Sequence, residues 1–324
     1  MPKTLIIGAT GYIGQTLALS LLRSGHHTVY GVARSPVKAR SLAALEIIPV
    51  ICADPAIDGS PLLQAISEHR IDTVAVVGGD QQAHALLELT MKAGLERLEL
   101  FKKAGVEKPT KLGFMYTSGT WVHGSSIEPV SDLDQVGNAL APSPPAKLVA
   151  WRADFEQEIL AFKVRELLDV VIIRPGLLYG RSHAIWTMFF APLLEAAKNG
   201  APSVQIPLDA DSRPGLIHVD DVGTGIHAAI EKIPEINGAG LHPCFDLVGQ
   251  SESMRDIFSR LADVLGFKGK VELVGAGDNL FAAAMSTTGT NHAERARMIL
   301  GWEPKRLGFV DGMGVYGKAF EASQ

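Results

Sequence analysis

An α/β fold is what this chain predicts: a doubly wound parallel sheet with a smaller, interleaved C-terminal lobe. Three observations carry that expectation. Short apolar runs of strand character alternate with helical stretches through the first half, and strands separated by helices pair in parallel. The first of these runs passes through a glycine-rich turn directly into a helix-like segment. Beyond Gly180 the alternation loses its regularity, as a second lobe would. With 324 residues, 47% of them hydrophobic and 20% charged, the chain has material for one large α/β unit or two lobes.

Taken in order, Thr4-Leu5-Ile6-Ile7 reads as a buried strand, and Gln15 to Arg23 as the helix after the turn. Further strands are expected at Thr28–Ala33, Ile47–Cys52, Thr73–Val77, Leu112–Thr117 and Val170–Ile173. Helices are expected near Pro36–Leu45, Pro61–His69, Gln81–Gly94 and Leu148–Val164, the last introduced by the stiff loop Pro142-Ser143-Pro144-Pro145. In the second half, helices fall near Ile185–Lys198, Ser253–Leu265 and Glu294–Leu300, and strands near Leu216–His218 and Cys244–Val248. The expected division is residues 1–180 for a nucleotide-binding part and 181–324 for a mainly substrate-binding lobe, with residues 216–248 partly returning to the first.

Bulk properties exclude several function classes. A net charge of −5 offers no electrostatic attraction to nucleic acid or to an anionic membrane surface. Cys52 and Cys244 have neither zinc nor redox spacing and read as reduced structural thiols. Met1-Pro2-Lys3 enters a strand without a signal-peptide apolar region, and no apolar run reaches spanning length, so the expected location is cytoplasmic. No HxxxH or CxxC appears, and no metal site is expected.

The turn is Gly8-Ala9-Thr10-Gly11-Tyr12-Ile13-Gly14. Strand, glycine turn, helix is the context in which such glycines bind a dinucleotide. Gly8 permits the tight turn, Gly11 leaves the backbone open to a pyrophosphate, and Gly14 lets the helix pack closely on the strand. The diphosphate then meets backbone N–H groups and the positive end of the helix dipole, with Thr10, Tyr12 and Ile13 in the same loop.

Five segments in order resemble the extended short-chain dehydrogenase/reductase family, of the NAD-dependent epimerase/dehydratase type. Gly8–Gly14 is similar to its TGxxGxxG turn. Tyr116 to Gly124 resembles its fifth-strand segment and Arg174 to Gly180 its "RP-x-x-VYG". Ile217 to Val222 resembles "HVDD", and Leu300 to Pro304 the terminal "LGW-x-P". The resemblance implies a Rossmann-type fold, a nicotinamide cofactor, a small-molecule substrate and a homodimer. At the end of the second strand, where NAD readers place an acid, the chain reads Tyr30-Gly31-Val32-Ala33-Arg34-Ser35-Pro36. An arginine fork and a serine hydroxyl without an acid point to the 2′-phosphate of NADP(H), with Lys38 and Arg40 behind them. Asp54 resembles the family's aspartate beside the adenine, or else caps a turn. Gly78 and Gly79 leave room for the cofactor, or else form a plain loop.

The family's chemistry runs through a tyrosine with a lysine four residues on. None of the five tyrosines has it: position +4 is Thr16 after Tyr12, Arg34 after Tyr30, Thr120 after Tyr116, His183 after Tyr179 and Phe320 after Tyr316. Where the family helix is recognisable, at Leu148 to Glu156, Leu148 stands at the tyrosine position. Arg152 stands at that of the lysine, where it can still bond the nicotinamide ribose. Gly119 falls where the family's hydroxyl is often found, with Ser118 and Thr117 beside it. Replacement proton donors are Tyr179, read as a phenol outside the strands at the cleft, together with Ser118 and His123; Lys147 is one residue from Leu148. Asp220-Asp221 is read as helix capping and His218 as a structural hydrogen-bonder. The expected function is an NADP(H)-dependent oxidoreductase with a non-standard proton donor. Its substrate is a small metabolite, read as hydrophobic from Ile185-Trp186-Thr187-Met188-Phe189-Phe190. The alternatives are a non-catalytic NADP-binding protein resembling redox sensors, and a non-redox isomerase or cyclase.

Overall fold

The alternation read from the first half builds one sheet. In a computed structural model describing all residues except 79–81, 183–184 and 307, the strands are β1 (Lys3–Ile7), β2 (Thr28–Ala33), β3 (Ile48–Ile51), β4 (Thr73–Val76) and β5 (Leu112–Thr117). Between them run the helices α1 (Tyr12–Ser24), α2 (Pro36–Ala43), α3 (Ser60–His69) and α4 (Ala83–Lys103). Strands Leu168–Pro175 and Cys244–Leu247 complete seven, in the order Cys244–Leu247, Leu168–Pro175, β5, β4, β1, β2, β3. Every pairing from β3 to Leu168–Pro175 is parallel. The order reverses between β1 and β4, and ligands of such sheets bind outside the carboxyl ends of the strands at that point.

Burial follows position in the sheet. Every residue of the central strands β4 and β5 is buried, whereas only Val50 is buried in edge strand β3. That edge is where Pro49, which lacks an N–H, costs no ladder bond. Helix α1 turns Gly14, Leu17, Ala18 and Leu21 inward at helical spacing. Helix α4 runs nine residues past its expected end at Gly94, because that glycine is a close approach rather than a stop. A Cβ there would lie 2.7 Å from Leu168 and 2.9 Å from the carbonyl of Leu167. The helix expected over Leu148–Val164 is instead a 3₁₀ turn (Lys147–Val149) leading into Ala150–Leu160, then an extended Ala161 and a short helix Phe162–Arg165.

The chain forms two compact units. The first comprises residues 1–118, 155–173 and 222–245; the second comprises 119–154, 174–221 and 246–324. The division expected at residue 180 is therefore drawn differently: 119–154 and 174–180 group with the second unit, and the chain returns to the first twice. In the first unit, Asn237, near the end of the helix Val219–Gly238, lays its amide along the strand Leu168–Pro175. Its Oδ1 accepts from the Val170 N–H at 3.2 Å and its Nδ2 donates to the Val170 carbonyl at 3.0 Å. From Ile172 onward the next segment of chain takes over, that N–H donating to the Pro243 carbonyl.

The second unit has its own small sheets. Strand Leu177–Tyr179 pairs in parallel with Gly215–His218, which pairs antiparallel with Gln250–Ser251. Strands Ser203–Ile206 and Lys270–Leu273 form a second parallel pair, and Pro129–Val130 with Thr290–Asn291 a third. Its core is aromatic, with Trp186, Phe189, Phe190, Phe258, Phe309 and Phe320 fully buried. Among the described residues, no helix is long and apolar enough to cross a membrane.

Candidate cofactor site and active-site residues

At the carboxyl ends of β1, β2 and β4 the first unit opens into a cavity of about 470 Å³. The glycine turn supplies one wall through Gly8, Thr10 and Gly11, and Gly78 and Gln82 lie after β4. Arg34, Ser35 and Lys38 come from the end of β2 and the start of α2, and Cys52 and Pro55 follow β3. No carboxylate is among the described lining residues.

Each glycine of the turn has its own reason. Gly8 sits at φ +90°, which L side chains rarely adopt, and its carbonyl accepts from the Gly11 N–H at 2.9 Å. A Cβ on Gly14 would lie 2.1 Å from the Gly8 carbonyl oxygen, so close packing of α1 on the turn requires glycine there. Gly11 differs. Its φ of −89° is open to any residue, so the backbone conformation there does not require glycine. Among the described residues, the one atom a Cβ at Gly11 would approach within 4 Å is the Gly8 oxygen, at 3.2 Å. The missing side chain thus leaves room for something other than protein. Gly11 is also the N-cap of α1 and offers no side chain to cap it.

Arg34 is exposed, and the Ser35 oxygen caps α2 by accepting from the Lys38 N–H at 3.3 Å, which leaves its own O–H free to donate. Asp54 stands beside the cavity rather than in its lining. Its Oδ1 accepts from the Ala56 N–H at 2.9 Å and from Gln82 Nε2 at 2.8 Å, closing a turn. Tyr12 and Ile13 are the first residues of α1, half-buried and outside the cavity lining. Among the described residues, the nearest atom to a Cβ built on Gly78 is Gly8 Cα, at 3.9 Å. Gly79 lies outside the described residues. Burial first, then the carboxylates of Asp58 and Asp54, push the Cys52 thiol up, in keeping with an inert wall. The sequence reading missed Cys52, Pro55 and Gln82 as lining residues. Their signal is positional: Cys52 ends a predicted strand, Pro55 follows it, and Gln82 lies at the start of the predicted helix after the strand Thr73–Val77.

The proposed proton donors fare unequally. Tyr179 is not outside the strands but ends the strand Leu177–Tyr179, fully buried in the second unit. Its hydroxyl donates to the Arg306 carbonyl, Gln250 Nε2 donates to it at 3.4 Å, and its ring stacks on Phe309. Burial first, then the neighbouring Tyr316, pushes this phenol far above its ordinary range, so it is a core hydrogen-bonder with no tendency to ionise. His123 is buried too. Its Nε2 lies 3.0 Å from Asp246, whose carboxylate also accepts from Asn291 Nδ2 at 3.0 Å and has Arg174 at 3.9 Å. Burial works to raise the Asp246 carboxyl, yet His123 and Arg174 hold it below the usual carboxylate range. The Asp246 N–H meets Asp132, itself 3.0 Å from Arg295, so His123 belongs to a buried charge cluster. Ser118 directly follows β5 in the first unit and is 5% exposed; its Oγ has no hydrogen-bond partner among the described residues.

Within the second unit, Arg152 lies over Trp151 and against Gly119, where a Cβ would stand 3.4 Å from its Nη1. Lys147 is exposed in the 3₁₀ turn. Asp220 and Asp221 do occupy the first turn of Val219–Gly238. Asp220 pairs with Arg181, and Asp221 accepts from the Arg306 N–H. His218 is buried, its Nδ1 accepting from the Asp220 N–H. The run at Ile185–Phe190 is core: Trp186, Phe189 and Phe190 are fully buried, which removes the reason for reading a hydrophobic substrate from it.

Glycine turn, parallel sheet and switch-point cavity agree with a family-level match. The model of the NAD dependent epimerase/dehydratase family matches residues 4–239. The chain belongs to that family. No curated protein matches it by sequence. Among solved structures, UDP-glucuronic acid 4-epimerase from Bacillus cereus, in complex with UDP-glucuronic acid and NAD, is similar with a TM-score of 0.69 at 18% identity. That match covers 99% of this chain and 100% of the other. The dTDP-glucose 4,6-dehydratase from Bacillus anthracis, in complex with NAD, matches at 0.70 and 17%, over 99% and 97%. UDP-glucose-4-epimerase from Stenotrophomonas maltophila, with NAD and formylated UDP-arabinopyranose, matches at 0.67 and 17%, over 100% of both chains. At these identities the likeness establishes the fold.

Proposed function

We propose that this family member is an NADP(H)-dependent oxidoreductase of the extended short-chain type, acting on a small organic metabolite with a proton donor other than the usual tyrosine. The observation that carries the reading is one cavity holding Gly8, Gly11, Arg34, Ser35 and Lys38 with no described carboxylate in its lining. The related structures bind NAD, and the open side of Gly11 fits the diphosphate common to both cofactors. Arg34 would hold the 2′-phosphate through its planar fork, with the Ser35 hydroxyl donating and Lys38 adding charge. When bound, the nicotinamide supplies or accepts hydride. Of the three proton-donor candidates, Ser118 alone keeps a hydroxyl without a partner, so it is the group we assign to orient the substrate oxygen or pass its proton.

Calorimetric titration of NADPH and NADH against wild type and Arg34→Ala tests the cofactor assignment. NADPH should bind more tightly to wild type and lose about 1.5–3 kcal/mol in the variant, with NADH unaffected. Equal binding of the two cofactors, or an equal loss for both, rejects it. Ser118→Ala should lower turnover by about 10²-fold with NADPH affinity intact. A second reading, a cofactor-binding protein without turnover, rests on the absence of any tyrosine with lysine at +4 and on the committed state of Tyr179 and His123. Tight NADPH binding with no oxidation by a panel of carbonyl compounds selects it.

A further inference from the structure

At the opposite, amino-terminal ends of the strands, in the same first unit, three side chains from distant parts of the sequence converge. His27 precedes β2, and His227 and Glu231 sit one turn apart on the helix Val219–Gly238. Their candidate ligand atoms all lie within 4.8 Å of one another. Glu231 Oε1 is 3.3 Å from His27 Nε2 and 3.4 Å from His227 Nε2. The two imidazole nitrogens are within 4.8 Å of each other, and the two carboxylate–imidazole separations match the edge of a tetrahedron with bonds of about 2.0–2.1 Å to a central ion, which works out at roughly 3.3–3.4 Å. They are long for hydrogen bonds, and His227 Nε2 is buried and makes none of normal geometry.

We infer that His27, His227 and Glu231 form a three-ligand site for a zinc-class divalent cation. Two imidazoles and one carboxylate are the donor set of open zinc sites, and imidazole nitrogen selects zinc over magnesium or calcium. The surroundings suit that use. His227 Nδ1 lies 2.9 Å from Ser20 Oγ, so with Nε2 on the metal the ring can donate there and its orientation is fixed. The two imidazole side chains are 2% and 14% exposed, while that of Glu231 is 47% exposed. Glu231 and His27 border a groove of about 600 Å³ reached from solvent, which gives the ion an entry path and leaves a fourth position for water. The groove runs past Pro2, Thr73 and Gly113 at the amino ends of strands, whereas the cofactor cavity lies at the carboxyl ends. The ion's role would be to tie the turn before β2 to the helix Val219–Gly238, independent of the cofactor assignment.

The test is zinc titration of chelator-stripped full-length protein against a competing chromophoric chelator. Wild type should take up one equivalent. His27→Ala, His227→Ala and Glu231→Gln should each bind it at least about 10-fold more weakly, and His292→Ala, removing an exposed histidine elsewhere, should match wild type. NADPH affinity should be unchanged throughout, so failure here and failure of the cofactor reading are separate results. Because alanine at a buried histidine can unfold the chain, wild-type crystals soaked in zinc supply a second readout: an anomalous peak bonded to all three side chains. No stoichiometric zinc, a peak elsewhere, or equal binding by folded His27→Ala and His227→Ala overturns the inference.

Discussion

The polar groups around Gly11 in the first unit and those around Asp246 in the second contrast in what they are bonded to. Arg34 and Lys38 stand exposed on an open cavity, and the Ser35 hydroxyl can still donate. His123, Asp246 and Arg174 are buried, with half-buried Asn291 beside them, in a cluster in which the carboxylate already meets its partners. Polar groups on an open cavity can meet a ligand or solvent, whereas buried ones are mostly paired because leaving them unpaired costs free energy. On the proposed reading the first set binds the cofactor and the second holds the unit together, although both contain residues that the family resemblance marks as candidates.

Mutations can sharpen or break that contrast. The largest effect is expected from Asp246→Ala, which removes the buried carboxylate that faces His123 and Arg174 and should cost about 3–5 kcal/mol in urea unfolding. A loss below about 1 kcal/mol would show the cluster to be unimportant for stability. Its acid limb has a defined sign: the folded carboxyl is held below its ordinary range, so the stabilisation is present above about pH 4 and is lost as pH falls through the folded value. Asp246→Asn should flatten that limb of the stability profile. Next comes Gly14→Ala, whose methyl would meet backbone 2.1 Å away. The turn would have to shift, at a cost of about 1–3 kcal/mol or more. Tyr179→Phe removes a buried hydrogen bond and should cost about 0.5–1.5 kcal/mol while leaving turnover unchanged; a 10²-fold fall in turnover would return the phenol to the active site. The smallest stability effects belong to Gly11→Ala, at about 1 kcal/mol for alanine at an N-cap, and to Arg34→Ala, within about 0.5 kcal/mol. Gly11→Ala should nevertheless abolish cofactor binding in a protein folded by circular dichroism.

What the sequence disclosed follows from distance along the chain. Strand, glycine turn and helix are contiguous, and β2 and β5 lie where the apolar runs at Thr28–Ala33 and Leu112–Thr117 predict them. Gly14's packing role was legible because helix and turn are neighbours in sequence; the freedom of Gly11's backbone was not, since only its dihedral shows it. Tyr179 was misplaced because a three-residue strand gives no periodicity to read, and its partner Arg306 is 127 residues away. His27 and Glu231 are 204 residues apart, beyond any spacing rule.

Asn237 has a consequence for how this sheet ends. Beside Val170, a strand rim would otherwise present an amide and a carbonyl to any passing peptide, the template on which chains add to one another. One carboxamide answers both groups, so the rim is closed by a side chain where a neighbouring strand has not yet begun. In deuterium-labelling experiments the Val170 amide should exchange slowly despite having no strand on that side. Asn237→Ala should accelerate it and increase self-association on mild heating.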